Sequence, residues 1–153
     1  MPFRFPLQSV LHLHQSLEHQ HEMRLHAANQ QVLKVLHWIA QLDHSIQDLR
    51  QETSREIESG TRSAAMIFAF EIESKLHAQH RELERELSRV TQILDHERQA
   101  FEQASRERHK LEILRDRDAH QYRIQQNRRE QRTLDESFLL NQSFRKRGQK
   151  LPG

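Results

Sequence analysis

The chain has 153 residues, of which 30% are charged and only 35% hydrophobic, and its mean hydropathy is -0.95. That is too little apolar material to enclose a large globular core, and the length suits one structural unit. No Cys is present, which excludes disulfides and thiolate metal sites and suits a reducing compartment. No apolar run reaches the roughly 18 residues of a membrane span. The opening MPFRFPLQSVLHLHQSLEH has neither a sustained apolar stretch nor a small-residue cleavage site, so the expected compartment is the cytoplasm.

Low hydropathy is also a signature of disorder, but two features oppose that reading. Helix breakers are nearly absent, and apolar residues recur at helical spacing. Gly occurs only at Gly60, Gly148 and Gly153, and Pro only at Pro2, Pro6 and Pro152. Gly60 is therefore the single breaker between Pro6 and Gly148.

In chain order, Phe3, Phe5 and Pro6 form a short apolar lead, and Pro6 suits a first helical turn, where its missing N–H costs nothing. A first helix is predicted over about 6–58. Leu25, Val32, Ile39 and Ile46 lie seven apart, and Ala28, Val35, Leu42 and Leu49 form the matching set. This is the a/d pattern of a coiled coil. Before Leu25 the seam is looser, with Leu7, Val10, Leu11 and Leu17, and the eight-residue step from Leu17 to Leu25 predicts a local register adjustment. The pattern stops at about 59–63. Gly60 suits a helix C-cap and Thr61 or Ser63 the next N-cap. A connection this short predicts antiparallel neighbours.

A second helix is predicted over about 63–144. Leu76, Leu83 and Val90 give one heptad set, and Leu87, Leu94 and Phe101 the other, continued sparsely by Ala104, Leu111 and Tyr122. Apolar positions then lapse through RIQQNRREQR and return as Leu134, Phe138, Leu139, Leu140 and Phe144. The fold class is thus all-α: a long antiparallel two-helix coiled-coil hairpin whose second helix is the longer. At 1.5 Å per residue the second helix should overhang the first by roughly 40 Å. A lone helix so poor in apolar residues is marginal without a partner. Residues 106–150 carry 13 basic and 7 acidic side chains, against a net charge of only +2 for the whole chain. The overhang is therefore the basic end, suited to an acidic protein, nucleic acid or an anionic surface.

Twelve His residues raise the question of a metal. His77 with His80 and His19 with Glu22 have helical ligand spacing, but each pair lacks a third ligand and there is no HExxH, so no metal or other cofactor is expected. Neither GxSxG nor GxxxxGK[ST] occurs, and two bare helices offer no water-excluding pocket, so neither an enzyme nor a small-molecule substrate is expected. Nucleic-acid binding is disfavoured because acids interleave with the Arg residues, as in RDRDAH, and because a bZIP places its basic block before the heptads rather than after them. A purely self-associating coiled coil is a further alternative. The aromatics after the turn, in IFAFEIESKLHAQHR, have two readings. Phe68, Ile72 and Leu76 face the other helix and plug the tip, with Phe70 directed elsewhere, or the group is an exposed docking patch.

The opening FRFPLQSVLHLHQSLE, the turn near residue 60, the long Arg/Gln-rich second helix and the tail REQRTLDESFLLNQSFRKR together resemble the FliJ family of flagellar type III export stalk proteins. The resemblance implies a non-enzymatic antiparallel coiled coil whose helix ends enter the pore of a hexameric export ATPase. It also implies contact with the cytoplasmic domain of the export gate and with export chaperones, and peripheral association with the cell membrane through that apparatus. An injectisome stalk is the sibling alternative. Carried over, the ATPase-ring end comprises Phe3, Phe5, Leu7, Val10 and Leu11 with Leu134, Phe138, Leu139, Phe144, Arg145 and Arg147. The gate motif of enteric members, Phe-x3-Leu-x2-Ala-x3-His, falls here on Ala69, Glu73, Leu76 and His80. Phe68, Phe70 and Ile72 lie beside it as substitute apolar surface, so the gate site is Phe68, Phe70, Ile72, Leu76 and His80.

Overall fold

A computed structural model describes residues 1–60 and 63–150. They form two α-helices, α1 (Gln8–Glu58) and α2 (Ser63–Gln149), of 51 and 87 residues. α1 starts two residues later than the sequence predicts, because Pro6 and Leu7 form a turn in which Gln8 N–H donates to the Phe5 carbonyl. α2 runs five residues beyond the predicted end and passes through Gly148. One Gly costs a helix only about 1 kcal/mol against Ala, and no Pro precedes it in α2. Gly60 ends the first helix with φ +84°, its N–H donating to the Ile57 carbonyl at 3.2 Å. A left-handed residue after a helix favours Gly, which has no Cβ to clash. The predicted N-cap at Thr61 lies outside the described residues.

Residue contacts divide the chain into two compact units. The first combines Met1–Gln15 with Arg106–Gly153, and the second is Ser16–Ser105.

The second unit is an antiparallel hairpin. Arg50 pairs with Glu73 and Asp43 with His80, so moving back along α1 advances the partner along α2. Its core is the predicted seam. Ala28, Val35, Leu42 and Ile46 are buried, and Leu25, Val32, Ile39 and Leu49 are half-buried. From α2, Ala69 and Val90 are buried, with Leu76, Leu83, Leu87, Leu94 and Phe101 half-buried. Of the two readings of the aromatics, the inward one does not hold for Phe68: Ala69 takes the seam position while Phe68 remains 65% exposed. The series Phe68, Ile72, Leu76 steps by four each time and drifts about 40° per step around a helix, whereas the seven-residue spacing counted back from Leu76 reaches residue 69.

Before Leu25 the seam also differs from expectation. The seven-residue spacing continues without adjustment, through Glu18 and His21, both half-buried. Polar side chains occupy these seam positions, so no register change is needed. The Nδ1 of His21 is enclosed and has no hydrogen-bond partner among the described residues.

In the first unit, Phe5 and Leu11 are the buried residues, with Leu11 fully enclosed. Phe3 packs against Tyr122 with ring centroids 5.6 Å apart, and the Tyr122 hydroxyl donates to the Met1 carbonyl. Beyond this contact, every residue from 127 to 150 is exposed. At 1.5 Å per residue, that is roughly 35 Å of helix without an intramolecular partner.

The burial pattern makes a stability prediction. Leu42→Ala should destabilise the protein by about 2–4 kcal/mol, since it opens space in a sealed seam. Leu33→Ala, on the exposed side of the same helix, should stay within about 0.5 kcal/mol. Equilibrium urea unfolding followed by circular dichroism separates the two, and equal effects would mean that the seam is misassigned.

Candidate functional site

Two surfaces come from the sequence, and the structure treats them differently. Near the turn, Met66, Ile67, Phe68 and Phe70 are all exposed, Phe70 at 74%. These aromatics do not plug the tip. They stand outward because the small Ala69 between them takes the inward position. Large apolar side chains held in water mark a contact surface when they cluster. Met66 and Ile67 extend the patch beyond the residues singled out by aromatic character. Their i,i+3 and i,i+4 relation to Phe70 was visible in the sequence.

Ile72, Leu76 and His80 are less available. The four residues aligned with the enteric gate motif, Ala69, Glu73, Leu76 and His80, all fall on the α2 seam and face α1. Two of them carry polar cross-helix contacts. Arg50 Nε donates to Glu73 Oε1 at 2.7 Å, and His77 Nε2 lies 3.3 Å from the same oxygen. His80 Nε2 lies 3.0 Å from Asp43 Oδ1, and its Nδ1 is 3.3 Å from Glu84 Oε1. A neutral imidazole donates from one nitrogen only, so both His80 contacts become hydrogen bonds when the ring carries both protons. No group of three or more His, Asp or Glu side chains arranged to hold a metal exists among the described residues.

The hydrogen bond from Arg50 holds the Glu73 carboxyl below its ordinary range, with smaller help from His77 and against the cost of desolvation. Glu86 is lowered in the same way by Arg89, which donates through both Nε and Nη2.

At the helix-end surface the two contributing segments diverge. From the N-terminal segment and the start of α1, Phe5 and Leu11 are consumed by internal packing and Phe3 is half-buried against Tyr122, which leaves Leu7 and Val10 partly exposed. From α2, Leu134, Phe138, Leu139 and Phe144 are all exposed, Phe138 at 68%, as are Arg145 and Arg147. Leu140 is exposed with them. Trp38 is a candidate that sequence reasoning missed. It edges an open groove of about 650 Å³ with Ala78 and Leu83, and neither heptad set includes it.

The class defined by these observations is a two-helix coiled coil whose exposed Phe side chains lie beside the turn and on the unpaired end of the longer helix. A family profile described as "Flagellar FliJ protein" matches residues 3–148, and the chain belongs to the flagellar FliJ family. That family serves flagellar type III protein export. No curated protein and no solved structure gives a match. No helix among the described residues is long and apolar enough to cross a membrane.

The Glu73 contact sets a pH dependence. A carboxyl whose folded value is depressed contributes stability that is present above its unfolded value and is lost as pH falls through the folded value. Glu73→Gln should therefore lower the melting temperature slightly at neutral pH, and the difference from the parent should vanish in acid. A difference that persists below the carboxylate range would assign the effect to packing rather than charge.

Proposed function

We propose that the chain is the stalk of a flagellar export ATPase ring, engaging the ring through the exposed end of α2 and the export gate through the aromatic patch beside the turn. The observation that carries this reading is the run of exposed residues beyond Tyr122. A helix of this composition is weak alone, and it displays Leu134, Phe138, Leu139, Leu140 and Phe144 to solvent. Burying such side chains is worth about 1.5–3 kcal/mol each, so a partner that encloses this end both stabilises the helix and gains affinity. A ring pore is such a partner. Phe3, Phe5 and Leu11 serve that end indirectly, by anchoring the first residues of the chain against α2.

At the other surface, Phe68 and Phe70 are the contacts for the gate, with Ile72 at their edge, while Leu76 and His80 hold the helix pair in register beneath them. Export chaperones are the third class of partner. A stalk biases a ring only through contacts that differ between the ring's states, and an asymmetric helix end provides such contacts.

An ATPase assay with the cognate export ATPase tests the ring contact. The full chain should stimulate turnover. Removal of residues 134–153 should abolish most of the stimulation while the helical signal per residue is nearly retained. Unchanged stimulation would move the ring contact elsewhere. For the gate, Phe68→Ser with Phe70→Ser should weaken capture by the gate's cytoplasmic domain at least tenfold and leave ATPase stimulation intact. Loss of both together would mean that the two surfaces are not separate sites.

A further inference from the structure

The end of α2 has a second property that docking into a ring does not use. Over residues 127–149 the helix carries six cations, Arg128, Arg129, Arg132, Arg145, Lys146 and Arg147, against three acids, Glu130, Asp135 and Glu136. None of these nine forms an ion pair among the described residues. Upstream, by contrast, acids and bases of α2 pair repeatedly along the helix, as in Arg85–Glu82, Lys110–Glu107 and Arg108–Glu112.

The angular arrangement is also sorted. At about 100° per residue, Leu134, Phe138, Leu140 and Phe144 fall within an arc of roughly 160°. Arg128, Arg129, Arg132, Lys146 and Arg147 fall within roughly 100° on the opposite side. Leu139 and Glu136 lie among the cations and Asp135 just outside them, while Glu130, one turn before Leu134, and Arg145, near the helix end, fall on the apolar arc, Arg145 with a long stem that can bend outward.

We propose that this segment is an interfacial helix that binds an anionic lipid surface. A basic amphipathic helix with Phe and Leu on one face lies in the plane of such a surface, its apolar face among the acyl chains and its cations at the headgroups. Two features favour lipid over an acidic protein groove. A groove reads a single stripe at i, i+3, i+4 and i+7. Here the apolar residues form two i,i+4 pairs, Leu134 with Phe138 and Leu140 with Phe144, set about 120° apart with Ser137 and Asn141 between them. A rigid groove would place those polar residues at its centre, whereas a fluid interface accommodates the width. The cations also bracket the apolar stretch at both ends, about 20 Å apart, a spacing suited to a row of headgroups rather than one pocket.

Lipid and ring would compete for the same side chains, so a chain outside the ring could wait at the membrane. The lipid contact does not depend on the stalk reading, and its test contains no ATPase, so the two stand or fall separately.

The test is sedimentation of the full-length chain with vesicles of phosphatidylcholine alone, vesicles containing phosphatidylglycerol, and soluble poly-glutamate as a competitor. Binding should require phosphatidylglycerol, fall steeply with salt, and drop at least tenfold in Phe138→Ser/Phe144→Ser. Arg128→Gln/Arg129→Gln/Arg132→Gln should cause a comparable loss. Absence of binding, or equal binding to both vesicle types, would overturn the proposal. Binding that ignores the Phe substitutions would reduce it to charge adsorption and overturn the interfacial helix. Capture by poly-glutamate that displaces the chain from vesicles and ignores the same Phe substitutions would assign the segment to an acidic protein surface instead.

Discussion

The seven-residue spacing of inward-facing side chains governs the rest of this molecule. Two helices with so little apolar content can bury only one stripe each, and the stripe must stay in line with its partner over many turns. Every other property follows from which residues hold those positions. The strict spacing puts Ala69 inward and Phe68 outward, and so creates the exposed patch beside the turn. It also makes Glu73 and His80 cross-helix contacts rather than free surface groups.

Polar residues within the stripe reveal a second constraint. Glu18, His21, Glu73 and His80 occupy positions that a stability-maximised coiled coil would fill with Leu. Polar groups at such positions cost stability and fix register, because an antiparallel pair of uniformly apolar stripes could slide by a heptad. Arg50 with Glu73 and Asp43 with His80 form only at one offset. The many i,i+3 and i,i+4 pairs along α2 add little energy individually. Their effect is to keep a very polar helix soluble and helical.

Much of this was legible in the sequence because helices write periodicity into it. One glycine among good helix formers located the turn, and the heptads identified most of the inward residues. Two features were not legible, for one reason. Apolar character is an incomplete sign of an inward position. Apolar character alone leaves Phe68 with both an inward and an exposed reading, and the eight-residue step from Leu17 to Leu25 suggests a shift where Glu18 and His21 in fact hold the stripe. Counting in sevens from the well-determined segments, without regard to residue type, recovers both. The surface sites are less legible still. Exposure distinguishes Phe5 and Leu11, which pack internally, from Leu134 and Phe138, which do not, although all four are large apolar residues near helix ends.

The lone turn at Gly60 also sets the order in which the chain can assemble. The cross-helix pair nearest the turn, Arg50 with Glu73, closes a separation of 23 residues, whereas Met1 waits for Tyr122, 121 residues away. Closing a longer loop costs more entropy, and a chain leaving the ribosome presents its N-terminal part first. Phe3, which packs on Tyr122, thus meets its partner late. The Phe3 ring stays uncovered until Tyr122 has been made.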